Sequence, residues 1–211
     1  MDAAKDADVL CLQEVTVDSA DWLQRALGSV FDVVTPTHCG RAWQGEQHGV
    51  AVAVQKAAFH WQKPRLHLFT TSEQQRSLLT VQLAAFGGGP SLLVGTAHME
   101  SEQANAEARQ RQMEEACELM RSQSVDGAIL AGDFNMRDTE AAAEAVAAEW
   151  GQDAWTLAGS PESSRRTWPA SGASGQGHRY DRILVRRDQA AVVAQNPFGD
   201  TLELRENLSP S

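Results

Sequence analysis

The chain has 211 residues, 42% of them hydrophobic and 22% charged, with a formal charge of −10; this composition fits one globular domain, or at most two small ones. The acidic balance excludes a protein that coats nucleic acid nonspecifically, because that needs a broad basic surface, but it leaves room for a local basic groove. No apolar run approaches the roughly 20 residues of a membrane-spanning helix, and the opening MDAAKDADVL lacks the apolar core of a secretory signal, so neither a membrane partner nor secretion is expected.

In chain order, Val9-Leu10-Cys11-Leu12 reads as a short buried strand ending at Gln13-Glu14. Residues 18–28 suit a helix, with Asp18 or Ser19 as cap, Trp22, Leu23, Ala26 and Leu27 as apolar face, and Gly28 as stop. Short apolar or alternating runs then predict strands at Phe31–Val34, Gly49–Val54, Arg65–Thr70, Leu78–Leu83 and Leu92–Ala97, the last two joined as a hairpin by Gly87-Gly88-Gly89-Pro90. A second helix spans 103–121, with Met113, Ala116, Cys117 and Met120 at helical spacing. Ala128–Ala131 is a strand, and 139–150 an Ala-rich helix capped by Asp138 or Thr139. Residues 159–178 are rich in Ser, Gly and Pro and read as a long loop; Ile183–Val185 and Ala191–Ala194 follow as strands, and 201–211 carries no pattern. Hairpin-like strands with helices between groups of them predict an α+β layered sandwich. Cys11, Cys39 and Cys117 lack metal-finger spacing and read as small buried hydrophobes.

Four strand ends share one oddity: each runs apolar and then stops on a residue suited to catalysis. These are Glu14, His98, the pair Asp133 and Asn135, and Asp181. By strand alternation Glu14 shares a face with Leu10 and Leu12, His98 with Leu92, Val94 and Thr96, and Asp133 with Ile129 and Ala131. Taken singly, Glu14 is a solvated terminus, His98 a structural histidine, Asp181 an ion-pair partner and Gly-Asp-Phe-Asn a turn. Taken together they make an oxygen-rich site with a proton-handling group, a donor set that suits Mg²⁺. There is no His/Cys cluster for zinc, and no GxSxG elbow, Walker A loop or GxGxxG motif. Between 160 and 187 lie six Arg against Glu162 and Asp181, which reads either as a solvated face or as the local basic groove an acidic protein would need for DNA.

The segments LCLQEV (10–15), GTAHMES (95–101), AGDFNMRD (131–138) and RYDRILVR (179–186) occur in the order found in the endonuclease/exonuclease/phosphatase superfamily, and the chain most resembles its 5′-tyrosyl-DNA phosphodiesterase branch. His-x-Glu-Ser at 98–101, Asn-Met-Arg-Asp at 135–138, Thr167-Trp168 and Arg76 carry the finer likeness. The resemblance implies a single domain over 1–211 with a four-layer α/β/β/α sandwich (DNase I-like). It also implies hydrolysis of phosphoesters with Mg²⁺, or Mn²⁺, at DNA 5′ ends bearing a protein or tyrosyl adduct, as in DNA repair, and a nuclear or cytoplasmic location. Glu14 would be the metal ligand, and Asp133 would orient and deprotonate the attacking water. Asn135 would donate to the phosphate and His98 would stabilise charge at phosphorus. Arg137, Arg76 and Trp168 would shape the groove around the DNA end, and Asp181 matches an aspartate that orients a catalytic histidine. Gly132 would let the backbone approach the phosphate.

The chain departs from the family at both ends. Members carry an Asn-bearing strand before Leu-Gln-Glu and close on Ser-Asp-His with a last strand. Here about a dozen residues precede Glu14, none of them Asn, and Ser211 matches the Ser of the closing motif. A chain shortened at its N- and C-terminal strands is therefore expected. The alternatives are a relative acting on another phosphoester (abasic DNA, an RNA end, an inositol phosphate or a phospholipid headgroup) or a catalytically impaired fragment that only binds. Oligomeric state has no signal here.

Overall fold

Two blocks of alternating sequence build two sheets. The computed structural model describes residues 7–41, 43, 48–168, 177–187, 193–195 and 201–203. The first sheet holds β1 (Val9–Val15), β2 (Phe31–Val34) and β3 (Gly49–Gln55) in the order β1-β3-β2, antiparallel throughout. The sequence of β3, GVAVAVQ, sorts valine to one face and alanine to the other. Val50, Val52 and Val54 enter the core between the sheets with Leu79, Val81, Leu83 and Val94. Ala51 and Ala53 lie under helix α1 (Val17–Leu27), whose Ala20, Leu23 and Leu27 cover them. Helix α1 starts ahead of the expected Asp18 or Ser19 cap. Thr16 caps it instead, accepting from the Ser19 N–H at 3.2 Å while its own N–H donates to Ser19 Oγ at 2.7 Å.

The second sheet holds six strands: β4 (Phe59–Leu68), β5 (Ser77–Ala85), β6 (Ser91–His98), β7 (Gly127–Asp133), β8 (Gln152–Asp153) and β9 (Asp181–Arg187), in the order β4-β5-β6-β7-β9-β8. β5 and β6 form the expected hairpin. β6 and β7 run parallel, and the crossover between them is helix α2 (Ala106–Arg121). Leu78, Leu93, Ala97 and Leu130 face α2 and helix α3 (Ala141–Trp150), packing on Met113, Cys117, Met120, Ala143 and Trp150. The layers are α1, three strands, six strands, then α2 with α3: the expected α/β/β/α sandwich. A short helix α4 (Ala154–Leu157) packs on β9 through Ala154 and Val185, and β10 (Val193–Gln195) pairs with β11 (Thr201–Glu203). Among the described residues no helix is long and apolar enough to cross a membrane.

The differences from the sequence reading have local causes. β4 begins at Phe59, not Arg65, because a register shift between Gln62 and Arg65 breaks its alternation. Residues 103–105 form a 3-10 turn ahead of α2. Neither Asp138 nor Thr139 caps α3; Glu140 stands at that position, its carboxylate held by Arg109. β8 and α4, at two and four residues, are too short to leave a period. The long loop contains a 3-10 turn at Glu162–Ser164 and a bridge between Trp168 and His178. Residues 191 and 192 of an expected strand, and the tail from 204 including Ser211, lie outside the described residues. So do residues 1–6.

Candidate active site

Parallel pairing of β6 with β7 sets His98 beside Asp133, and antiparallel pairing of β7 with β9 sets Asp133 beside Asp181. Three of the strand ends singled out in the sequence therefore stand in one row. Gly132 makes this row possible: a Cβ there would lie 2.0 Å from the Ala97 carbonyl oxygen. The glycine thus serves the approach of β6 to β7, a nearer reason than the approach of a phosphate. Glu14 comes from the other sheet. The register of β1 on β3 shifts between Leu12 and Val15, and Glu14 sits in that bulge with a φ of 55°. Its neighbour Gln13 donates to Thr96 Oγ1 at 2.8 Å, tying the end of β1 to β6 two residues before His98.

The row has a defined charge state. Arg76 Nη1 lies 2.6 Å from His98 Nδ1. A guanidinium only donates, so Nδ1 accepts and the imidazole proton sits on Nε2. Burial, together with the charges of Arg76 and His48, pushes the His98 pKa down to about 3. His98 is thus a neutral donor, not a cation, and its Nε2 lies 3.6 Å from Asp133 Oδ2. Burial pushes the Asp133 carboxyl up to about 6; the charges of Asp181 and Glu14 raise it too, while the Asn135 N–H and Arg76 oppose. An aspartate that ionises near neutrality is suited to take a proton from water.

Asn135 has a left-handed backbone, φ 50°. Its N–H donates to Asp133 Oδ1 at 2.9 Å, and its Nδ2 donates to the Met99 carbonyl at 3.0 Å. One side-chain amide hydrogen is therefore fixed and the other remains for a ligand. Asp181 makes no side-chain hydrogen bond or ion pair among the described residues, and its N–H, with that of Tyr180, donates to Thr167 Oγ1. Arg137 lies over the Tyr180 ring at 5.8 Å and faces Glu140 at 3.5 Å. His178 stacks on Tyr180 at 5.0 Å, and the exposed Trp168 ring lies 6.4 Å from it. These groups make an aromatic and cationic strip beside the row. The arginine run is a different matter: Arg165 pairs with Glu162, Arg179 with Asp153 and Arg182 with Glu144, while Arg186 lies over Trp150.

Several residues that hold the site were missed in the sequence. Arg109, fully buried on α2, forks onto both oxygens of Glu140 and donates to the Glu100, Ser101 and Glu102 carbonyls. Its helical spacing with the apolar face was the available signal. Tyr180 and His178 carried none beyond their type. Glu14, Gln75, Glu102 and Asn135 all adopt positive φ on the segments that frame this row, and such strain gathers at functional sites. Among the described residues no three His, Cys, Asp or Glu side chains gather as a metal cage. A single exposed carboxylate, Glu14, electrostatically coupled to Asp133 and Arg76, fits a hydrated hard cation that keeps most of its waters.

The model of the Endonuclease/Exonuclease/phosphatase family matches residues 3–202. Over 196 residues the chain is 24% identical to Tyrosyl-DNA phosphodiesterase 2 of Mus musculus, covering 90% of this chain and 50% of that protein. Over 188 residues it is 26% identical to the Homo sapiens protein of that name, covering 85% and 49%. The chain spans about half the length of the curated relatives it matches. Among solved structures it resembles Danio rerio TDP2 complexed with single-strand DNA product, with a TM-score of 0.74, 21% identity and coverage of 95% of this chain and 84% of that one. It also resembles a humanized D. rerio TDP2 with 14 mutations, with a TM-score of 0.74, 24% identity and coverage of 90% and 75%. These structural likenesses speak for the fold.

Proposed function

The chain belongs to the endonuclease/exonuclease/phosphatase family, and from that premise we propose that it is a Mg²⁺-dependent phosphodiesterase that removes tyrosyl adducts from DNA 5′ ends. The observation that carries the reading is the row of Arg76, His98, Asp133 and Asp181 along adjoining strand ends, with Glu14 coupled to it from the second sheet. The relatives are named for tyrosyl-DNA phosphodiesterase, and one structural neighbour holds a single-strand DNA product. A DNA-end substrate would place the work in the nucleus or cytoplasm.

Asp133 orients a water and accepts its proton as the water oxygen bonds to phosphorus. The bond from phosphorus to the tyrosyl oxygen breaks with its electron pair going to that oxygen, leaving a 5′-phosphate and a phenolate that takes a proton from solvent to give tyrosine. A phenol of pKa about 10 leaves readily. The His98 Nε2–H and the remaining Asn135 amide hydrogen donate to the phosphoryl oxygens, where charge develops. Glu14 would hold the cation, Mg²⁺ or Mn²⁺, which when bound neutralises charge on those oxygens. Arg137, Tyr180, His178 and Trp168 give the terminal bases a cationic and stacking surface.

The test offers the chain, with Mg²⁺, a 5′-phosphotyrosyl oligonucleotide beside abasic DNA, RNA 5′ ends, an inositol phosphate and a phospholipid headgroup. Free tyrosine and a 5′-phosphorylated strand from the first substrate, in preference to the rest, support the reading. Turnover of another phosphoester with the tyrosyl strand untouched moves the assignment, and binding without turnover of any overturns it.

A further inference from the structure

Glu100 stands two residues beyond His98 and is 1% exposed, yet the mechanism above does not use it. A buried carboxylate is expensive unless its oxygens are filled. Those of Glu100 are filled by the segment before β5. Oε1 accepts from the Glu73 N–H at 3.0 Å and the Gln74 N–H at 2.8 Å. Oε2 accepts from Ser72 Oγ at 2.8 Å and from Gln112 Nε2 at 3.1 Å.

Two of these contacts, from Ser72 and Gln74, lead to Arg76. Ser72 gives its hydroxyl proton to Glu100, so its oxygen is free to accept, and it takes the Arg76 N–H at 2.7 Å. Gln74, fixed by its own N–H on Glu100, accepts from Arg76 Nε at 3.1 Å and Nη2 at 2.9 Å. The same amide oxygen accepts from the Ser101 N–H and Oγ. One edge of the guanidinium is thereby held, and Nη1 is left to meet His98. Gln75, between them, is bent into the left-handed region with a φ of 59°. Burial pushes the Arg76 pKa down, and the Glu100 charge opposes that.

We propose that Glu100 is a positioning residue: its carboxylate folds the 72–76 segment into a clip that holds Arg76 on His98 Nδ1 and so keeps the imidazole proton on Nε2, facing Asp133. Its place in the reaction rests on the phosphodiesterase reading; its effect on His98 does not. The buried charge matters because a carboxylate only accepts, and all four groups around it donate. A glutamine would turn its own N–H₂ toward Ser72 and Gln112, both of which donate here.

The experiment compares wild type, Glu100→Gln and Ser72→Ala, with ¹⁵N-labelled histidine. It reads the His98 ring nitrogens by NMR and kcat/KM on the 5′-phosphotyrosyl oligonucleotide with Mg²⁺. Wild type should show the Nε2–H tautomer between pH 5 and 8. Glu100→Gln should show mixed tautomers, with kcat/KM lower by about 10- to 100-fold, and Ser72→Ala a smaller change in the same sense. Unchanged His98 signals in folded Glu100→Gln would overturn the proposal, as would altered signals with unchanged kcat/KM. Should Glu100→Gln not fold, Ser72→Ala decides by the same signals. An inactive wild type defeats the phosphodiesterase reading alone, since the tautomer readout still judges the clip.

Discussion

At pH 7 the Asp133 carboxyl is ionised in surroundings that favour its protonated form. Its pKa in the fold, about 6, lies above the 3.8 of a free carboxyl. Its contribution to stability is therefore whole below pH 3.8 and is lost as the pH rises through 6. Asp133→Asn carries no such loss and keeps an oxygen to accept the Asn135 N–H. The variant should be more stable than wild type at pH 7, by up to about 3 kcal/mol, with the gap closing toward pH 4; paired denaturation curves at the two pH values check this. Its hydrolysis of the proposed substrate, the 5′-phosphotyrosyl oligonucleotide, should fall by about 10²- to 10⁴-fold. Gain of stability with loss of activity marks a group held under strain for its chemistry; loss of both would make Asp133 a structural residue. Asp133, Asn135, His98 and Glu14 stood out because each closes an apolar run, and Asp181 because it opens one. The state of His98 was not: a lone histidine in a sequence gives no hint that a guanidinium 22 residues earlier will fix its proton.

At the scale of elements, the meeting of β6 and β7 aligns the row. Gly132→Ala would put a methyl 2.0 Å from a backbone carbonyl in the neighbouring strand, which cannot yield. Gly95→Ala meets Met120 Sδ at 2.8 Å, and a methionine side chain can move. The first should destabilise by about 3 kcal/mol or more and the second by about 1 kcal/mol, as measured by urea unfolding. Arg109 joins α2 to α3 and to the chain just past β6. Arg109→Met strips the buried Glu140 carboxylate and three carbonyls of their donor, and should cost about 3–5 kcal/mol. The alternating patterns of β3, β5 and β6 made the sheets readable, and the Gly-Pro turn made the hairpin so. β4 was half hidden because its bulge breaks the period, and α1 was misplaced because Thr16 and Ser19 cap each other. Arg109 was not singled out in the sequence, because its partner Glu140 is 31 positions away.

Across the whole molecule, a net charge of −10 and the proposed nucleic-acid substrate are reconciled by a small site rather than a broad basic face. Arg165, Arg179 and Arg182 are engaged with acidic partners away from the row; Arg76, on His98, and Arg137, over Tyr180 and also paired with Glu140, are the cations beside it. Binding of a single-stranded 5′ end should therefore weaken only gently with salt, log Kd against log salt having a slope of about 2 for roughly three phosphate contacts; a slope several times larger would mean a basic surface elsewhere. The layered α+β class was legible because the two strand groups and three long helices each carry their own period; the four layers, like the site, were implied by the resemblance that four motifs in one order carry. The clip and the aromatic strip were not, since both rest on contacts between distant segments. The most direct test of the account is the pH dependence of kcat/KM on the 5′-phosphotyrosyl oligonucleotide with Mg²⁺. The account predicts release of tyrosine with a single acid limb whose midpoint lies near pH 6, absent from Asp133→Asn. A midpoint near 4, or the same limb in Asp133→Asn, would contradict it.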